Sequence, residues 1–139
     1  MPIISLKRSS EGLTATAVSP RRVSGRVVAI NKEINGDVCI LRPVGYVDDK
    51  GGAALVEATE EALDNGFLKI LLNFAESPVI NSQGIAQIIE MAEVVVDEKD
   101  GDLAYCGLSE ISASVFKMVG LFQMGTNYTD EKEALENQK

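Results

Sequence analysis

The stretch Lys69-Ile70-Leu71-Leu72-Asn73-Phe74 constrains the fold of this chain more than any other. It is a short, continuous apolar run between turn residues, the pattern of a strand buried on both faces. A strand of that kind has to be covered by other elements, and its flanks supply them. Upstream, residues 51–65 place Leu55, Ala58 and Ala62 at helical spacing with Glu57, Glu60, Glu61 and Asp64 on other faces. Gly66 follows where a left-handed residue ends a helix. Downstream, Ile85, Ile88, Ile89, Ala92 and Val96 recur at i, i+3, i+4, i+7 and i+11. That spacing predicts a second amphipathic helix from about Ser82 to Asp97, with Gln83, Gln87, Glu90 and Glu93 on its polar face.

Ahead of the first helix, two β-rich runs, residues 27–34 and 37–44, surround Asn35-Gly36, the dipeptide best able to supply two residues with positive φ. A hairpin is expected there. Pro43, which has no N–H to donate, should mark the end of its second strand or an edge. Leu103-Ala104-Tyr105-Cys106 reads as a further strand. Ser109 then caps a third helix carrying Val115, Met118 and Val119, stopped by Gly120 with Leu121 placed for a Schellman contact. Thr129 or Asp130 starts a last short helix through Leu135. The order β-β-α-β-α-β-α-α predicts an α/β domain: a mixed sheet, parallel in its core, with an N-terminal hairpin and about four helices packed on it.

Composition narrows the chemistry. The 139 residues include no His, which excludes Ser-His-Asp and Cys-His nucleophile pairs, an imidazole base and His-containing metal sites. Cys39 and Cys106 each sit in an apolar run and read as reduced core thiols of a cytoplasmic protein. Residues 1–26 carry five bases against Glu11, whereas residues 27–139 carry eight bases against 20 acids. The chain is therefore expected to be a flexible basic arm over residues 1–25 followed by an acidic domain over 26–139. Such a domain repels nucleic acid and anionic membranes and favours basic protein surfaces. Pro2-Ile3-Ile4-Ser5-Leu6 is too short for a signal-peptide core, and no run of apolar residues is long enough to span a membrane. Asn127-Tyr128-Thr129 is then a chance match to a glycosylation motif.

Few residues carry a chemical motif. Neither a dinucleotide-type nor a P-loop-type glycine pattern occurs, so no cofactor is expected. The acids fall on presumed helix faces and turns, where they are solvated, and Lys99-Asp100-Gly101-Asp102 is a turn lacking the ligand pattern of a calcium loop. Asn81-Ser82-Gln83-Gly84 is more pointed, because it lies between the buried strand and the second helix, above the C-terminal end of the sheet. Local physics makes Ser82 a helix N-cap, whose oxygen accepts an orphan N–H. The other reading is a modification site: a phosphate there would meet free backbone N–H groups at the positive end of a helix.

A series of segments in register resembles the STAS domain of bacterial anti-sigma factor antagonists. They are Gly45-Tyr46-Val47-Asp48, Ile70-Leu71-Leu72-Asn73-Phe74, Val79-Ile80-Asn81-Ser82-Gln83-Gly84-Ile85, residues 101–109, Met118-Val119-Gly120-Leu121-Phe122 and residues 129–135. The resemblance runs from Val27 to the C-terminus. It implies a non-enzymatic regulator that binds a serine-kinase anti-sigma factor, is switched off by phosphorylation and is reset by a serine phosphatase. Ser82 stands where that family carries its phosphorylated serine. By the same resemblance Asp48 lies near it, and Asp48, Asn81, Ser82, Gln83 and Gly84 form the partner-binding surface. Asn81 stands where the family usually has Asp, and Gln83 where it usually has a small residue. Family members without the switch imply an alternative, a scaffold or assembly subunit that is stressosome-like or transport-associated; a larger assembly would favour that scaffold, and a monomer or weak homodimer the switch.

Overall fold

The computed structural model describes residues 29–138. The expected basic arm, residues 1–25, and the first two residues of the expected hairpin, Val27 and Val28, lie outside the described residues. Strand β1 (Ala29–Asn35) pairs antiparallel with β2 (Val38–Val44), Asn35 opposite Val38. The hairpin is where the sequence puts it, but the two loop residues are Gly36 and Asp37, and of these only Gly36 has positive φ, at 63°. Glycine at the first central position is the chemistry of a type II′ turn, in place of the two positive φ values expected of Asn35-Gly36. Pro43 sits one residue from the end of β2, past Leu41, where pairing with the next strand stops.

Helix α1 (Asp49–Asp64) follows, then β3 (Lys69–Asn73), α2 (Ser82–Glu93) with a π-helical turn Val94–Glu98, and β4 (Asp102–Cys106). Helix α3 (Glu110–Met118), the single turn α4 (Leu121–Met124), β5 (Thr126–Tyr128) and α5 (Glu131–Asn137) complete the fold. The sheet order is β1-β2-β3-β4-β5, parallel from β2 onward. This is the expected mixed sheet, with one short edge strand, β5, that the sequence did not reveal.

Alternation along the strands divides the core in two. Cys39, Leu41, Ile70, Leu72, Leu103 and Tyr105 face α1, α2, α3 and α4, whereas Val38, Ile40, Leu71, Ala104 and Cys106 face Ala134 of α5. The two cysteines therefore lie on opposite faces, free and fully buried. Burial pushes the Cys39 thiol up to about 11 and the Cys106 thiol up to about 12. Helix α1 ends as expected: Gly66 has φ 92°, and Phe67 N–H donates to Ala62 O and Gly66 N–H to Leu63 O, a full Schellman pair.

One local expectation is corrected, and one pair of alternatives is decided. In α3 the inward residues are Ser112 and Phe116, while Met118 is 76% exposed and Val119 43%. Phe116 wins because it meets Phe74 and Tyr105 edge-on, with ring centroids 5.7 and 5.2 Å away. The residue that starts the last helix is Asp130, whose carboxylate accepts from Glu133 N–H at 3.0 Å.

Candidate functional site

The end of the sheet where β2 and β3 finish is built from two chain segments pinned together. Residues 45–47 run alongside residues 76–80: Gly45 N–H donates to Glu76 O, Val47 N–H to Val79 O and Asn81 N–H to Val47 O, each at 3.0 Å. Val47 and Ile80 form a parallel bridge. Ser77, fully buried, donates its hydroxyl to Pro43 O at 2.8 Å, and Ser109 donates to Pro78 O at 2.9 Å. The loop between β3 and α2 is thus fastened on both sides, to the β2 exit and to the start of α3.

That bridge sets the next residues, Asp48 and Asn81, side by side as the N-caps of α1 and α2. Asp48 Oδ1 accepts from Gly51 N–H at 2.9 Å, and Asn81 Oδ1 accepts from Gly84 N–H at 2.8 Å. Asn81 therefore does the capping expected of Ser82, and Ser82 becomes the first residue of α2. Ser82 is exposed, and its hydroxyl has no hydrogen-bond partner among the described residues. A serine outside the cap position leaves its oxygen pointing at solvent beside the orphan N–H groups of the first turn. No acidic residue lies in that turn of α2.

Gly84 and Gly52 allow the two helix starts to meet. A Cβ on Gly84 would lie 2.6 Å from Val47 O, and one on Gly52 would lie 2.7 Å from Gln87 Cβ. Gln87 donates to Asp49 Oδ1 at 2.9 Å across the same junction. The structure thus brings Asp48, Asn81, Ser82, Gln83 and Gly84 to one end of the molecule, with Ser82 and Gln83 exposed and Asp48 and Gly84 buried. Gly52 and Ser77 were not singled out from the sequence, and Gln87 entered only as a polar-face residue of the second helix. Their contacts join segments distant along the chain, which leave no local pattern to read.

Chemically, the site offers one accessible hydroxyl at a helix N-terminus. Among the described residues no group of His, Cys, Asp and Glu could hold a metal ion, and no helix is long and apolar enough to cross a membrane.

The STAS domain family model matches residues 29–134. The fold is similar to that of TM1081 from Thermotoga maritima, with TM-score 0.70 and 21% identity over 78% of this chain and 93% of that chain. It is also similar to the Bacillus cell fate determinant SpoIIAA in its phosphorylated form, with TM-score 0.63 and 19% identity over 80% of this chain and 100% of that one. An anti-sigma factor antagonist from Mycobacterium paratuberculosis superposes with TM-score 0.69 and 14% identity over 79% of this chain and 92% of that one.

Proposed function

The chain belongs to the STAS domain family, and from that premise we propose that it is an anti-sigma factor antagonist: a non-enzymatic regulator that binds a serine-kinase anti-sigma factor and is released by phosphorylation of Ser82. The observation that carries this reading is the division of labour at the start of α2, where Asn81 caps the helix and leaves the Ser82 hydroxyl exposed and unengaged. The departure from the usual Asp costs only a charge, since the amide oxygen still accepts from Gly84 N–H. It also removes a carboxylate that would repel a phosphate on the next residue.

Phosphorylation adds close to two negative charges, which the orphan N–H groups and positive end of α2 accommodate internally. The same charge and bulk oppose a partner surface docked over the site. A serine phosphatase resets the switch. The buried thiols, pushed far above neutrality, support a regulatory reading over a cysteine-nucleophile enzyme. Asp48, Asn81, Gln83 and Gly84 would frame the contact surface around Ser82, in a protein working in the cytoplasm.

Incubation with ATP and a cognate anti-sigma kinase, followed by intact-mass analysis and site mapping, should show a single added phosphate that is lost in Ser82→Ala. An unmodified chain in the presence of a kinase active on another antagonist would count against the proposal and favour a scaffold role.

A further inference from the structure

The outer face of α3 is apolar and uncovered. Ile111 is 78% exposed and Met118 76%, the most exposed large hydrophobic side chains among the described residues. Between them Ser114 is exposed and Val115 half-buried, and with Glu110 and Ile111 they line a shallow surface depression. Set out as a heptad, Ile111 and Met118 are successive a positions, Ser114 is d and Val115 is e, while Glu110 and Lys117 are successive g positions on the rim. Neither rim charge is engaged by another described residue.

When two such helices pair antiparallel, g faces g, so a two-fold axis near Ser114 sets Glu110 of each copy against Lys117 of the other. The small Ser114 side chain at the centre lets the helices approach. Charge favours the same occupant. Residues 103–129 carry one acid, Glu110, and one base, Lys117, whereas the rest of the domain is strongly acidic. A basic partner is drawn to the acidic helices; a second copy, acidic itself, meets least repulsion at this neutral face.

We propose that the chain forms a weak antiparallel homodimer through α3, with the Ile111–Met118 stripe as its core and two Glu110–Lys117 pairs as its rim. A contact made by one nine-residue helix falls below the roughly 1,200 Å² of a stable interface, so a dissociation constant on the order of 100 μM is expected. Sedimentation equilibrium of the full chain from about 10 μM to about 1 mM should show the mass climbing from the 14.9 kDa monomer toward twice that.

Lys117→Glu and Glu110→Lys each turn both rim pairs repulsive and should weaken association about tenfold. The double exchange E110K/K117E restores both pairs with reversed polarity and should recover it. Circular dichroism on every variant separates loss of pairing from loss of fold. A chain that stays monomeric throughout, a dimer indifferent to the single exchanges, or a double exchange that fails to recover association would each overturn the proposal.

Discussion

Three neighbouring residues at the start of α2 do different work, and their substitutions should separate cleanly. Asn81→Ala removes the side-chain oxygen that caps Gly84 N–H and should cost about 1 kcal/mol. Ser82→Ala touches an exposed, unengaged hydroxyl and should stay within about 0.5 kcal/mol of the parent. Gly84→Ala drives a methyl group toward Val47 O, a backbone atom that cannot swing aside, and should cost about 1–3 kcal/mol. Urea denaturation of the three variants checks the order; a larger loss for Ser82→Ala than for Asn81→Ala would return the cap to Ser82. The sequence could not choose between them. Asn and Ser are both good caps, and a helix starting one residue later buries nearly the same apolar positions. The choice is made by the Val47–Ile80 bridge and the close approach of Gly84, which belong to tertiary structure.

At the scale of elements, what was legible tracks length and period. The hairpin, α1, β3, α2 and β4 each carry several repeats of an apolar pattern or a turn residue with a required φ. The four-residue α4 and three-residue β5 hold less than one full repeat and left no trace. The inward face of α3 differs from the expected one because Val115, Met118 and Val119 fit helical spacing as well as Ser112 and Phe116 do, and only the contacts of Phe116 with Phe74, just past β3, and Tyr105 on β4 decide. Helix α5, found from its cap, is the one helix among the described residues that covers the second face of the sheet, and it is tied down at its first residue. Glu131 accepts from Arg42 Nε at 2.5 Å, from Arg42 Nη2 at 2.9 Å and from Asn73 Nδ2 at 2.6 Å, while Arg42 also donates to Glu33 at 2.6 Å. The Arg42 guanidinium, with help from Asn73, holds the Glu131 carboxyl below its ordinary value of 4.5. A carboxyl lowered on folding contributes stability that is full above its unfolded value and is lost as pH falls through its folded one. The parent should therefore lose stability below about pH 4.5 more steeply than Glu131→Gln, which is less stable at pH 7 and flatter below. Asp102, whose carboxyl is raised by burial, works in the opposite direction but is shared by both proteins. The difference between their urea-denaturation profiles against pH isolates Glu131, and parallel profiles would remove the Arg42–Glu131 pair from the forces that dock α5.

Across the whole molecule the strand–helix alternation sets the architecture, because each parallel strand needs a crossover helix and each crossover adds its strand beside the last. Charge is then distributed over that frame unevenly. Asp48, Asp49 and Glu76 lie at the Ser82 end, and Glu57, Glu60, Glu61, Glu90 and Glu93 lie on α1 and α2, while residues 103–129 are balanced. A field of this form reaches only about 10 Å at 0.1 M salt, so its effect on encounter is strong in dilute buffer and fades as salt rises. If a basic kinase surface is drawn to the Ser82 end, its association rate should fall by roughly tenfold or more between low and high salt, with dissociation changing much less. Stopped-flow or surface-binding kinetics with the full chain can follow this directly. Lys substitutions at Glu57 and Glu60, outside the cap junction, should slow association without altering Ser82 phosphorylation at saturating kinase. An association rate unmoved by salt and by those substitutions would mean that the acidic helices serve solubility alone and that recognition rests on the short-range surface around Ser82.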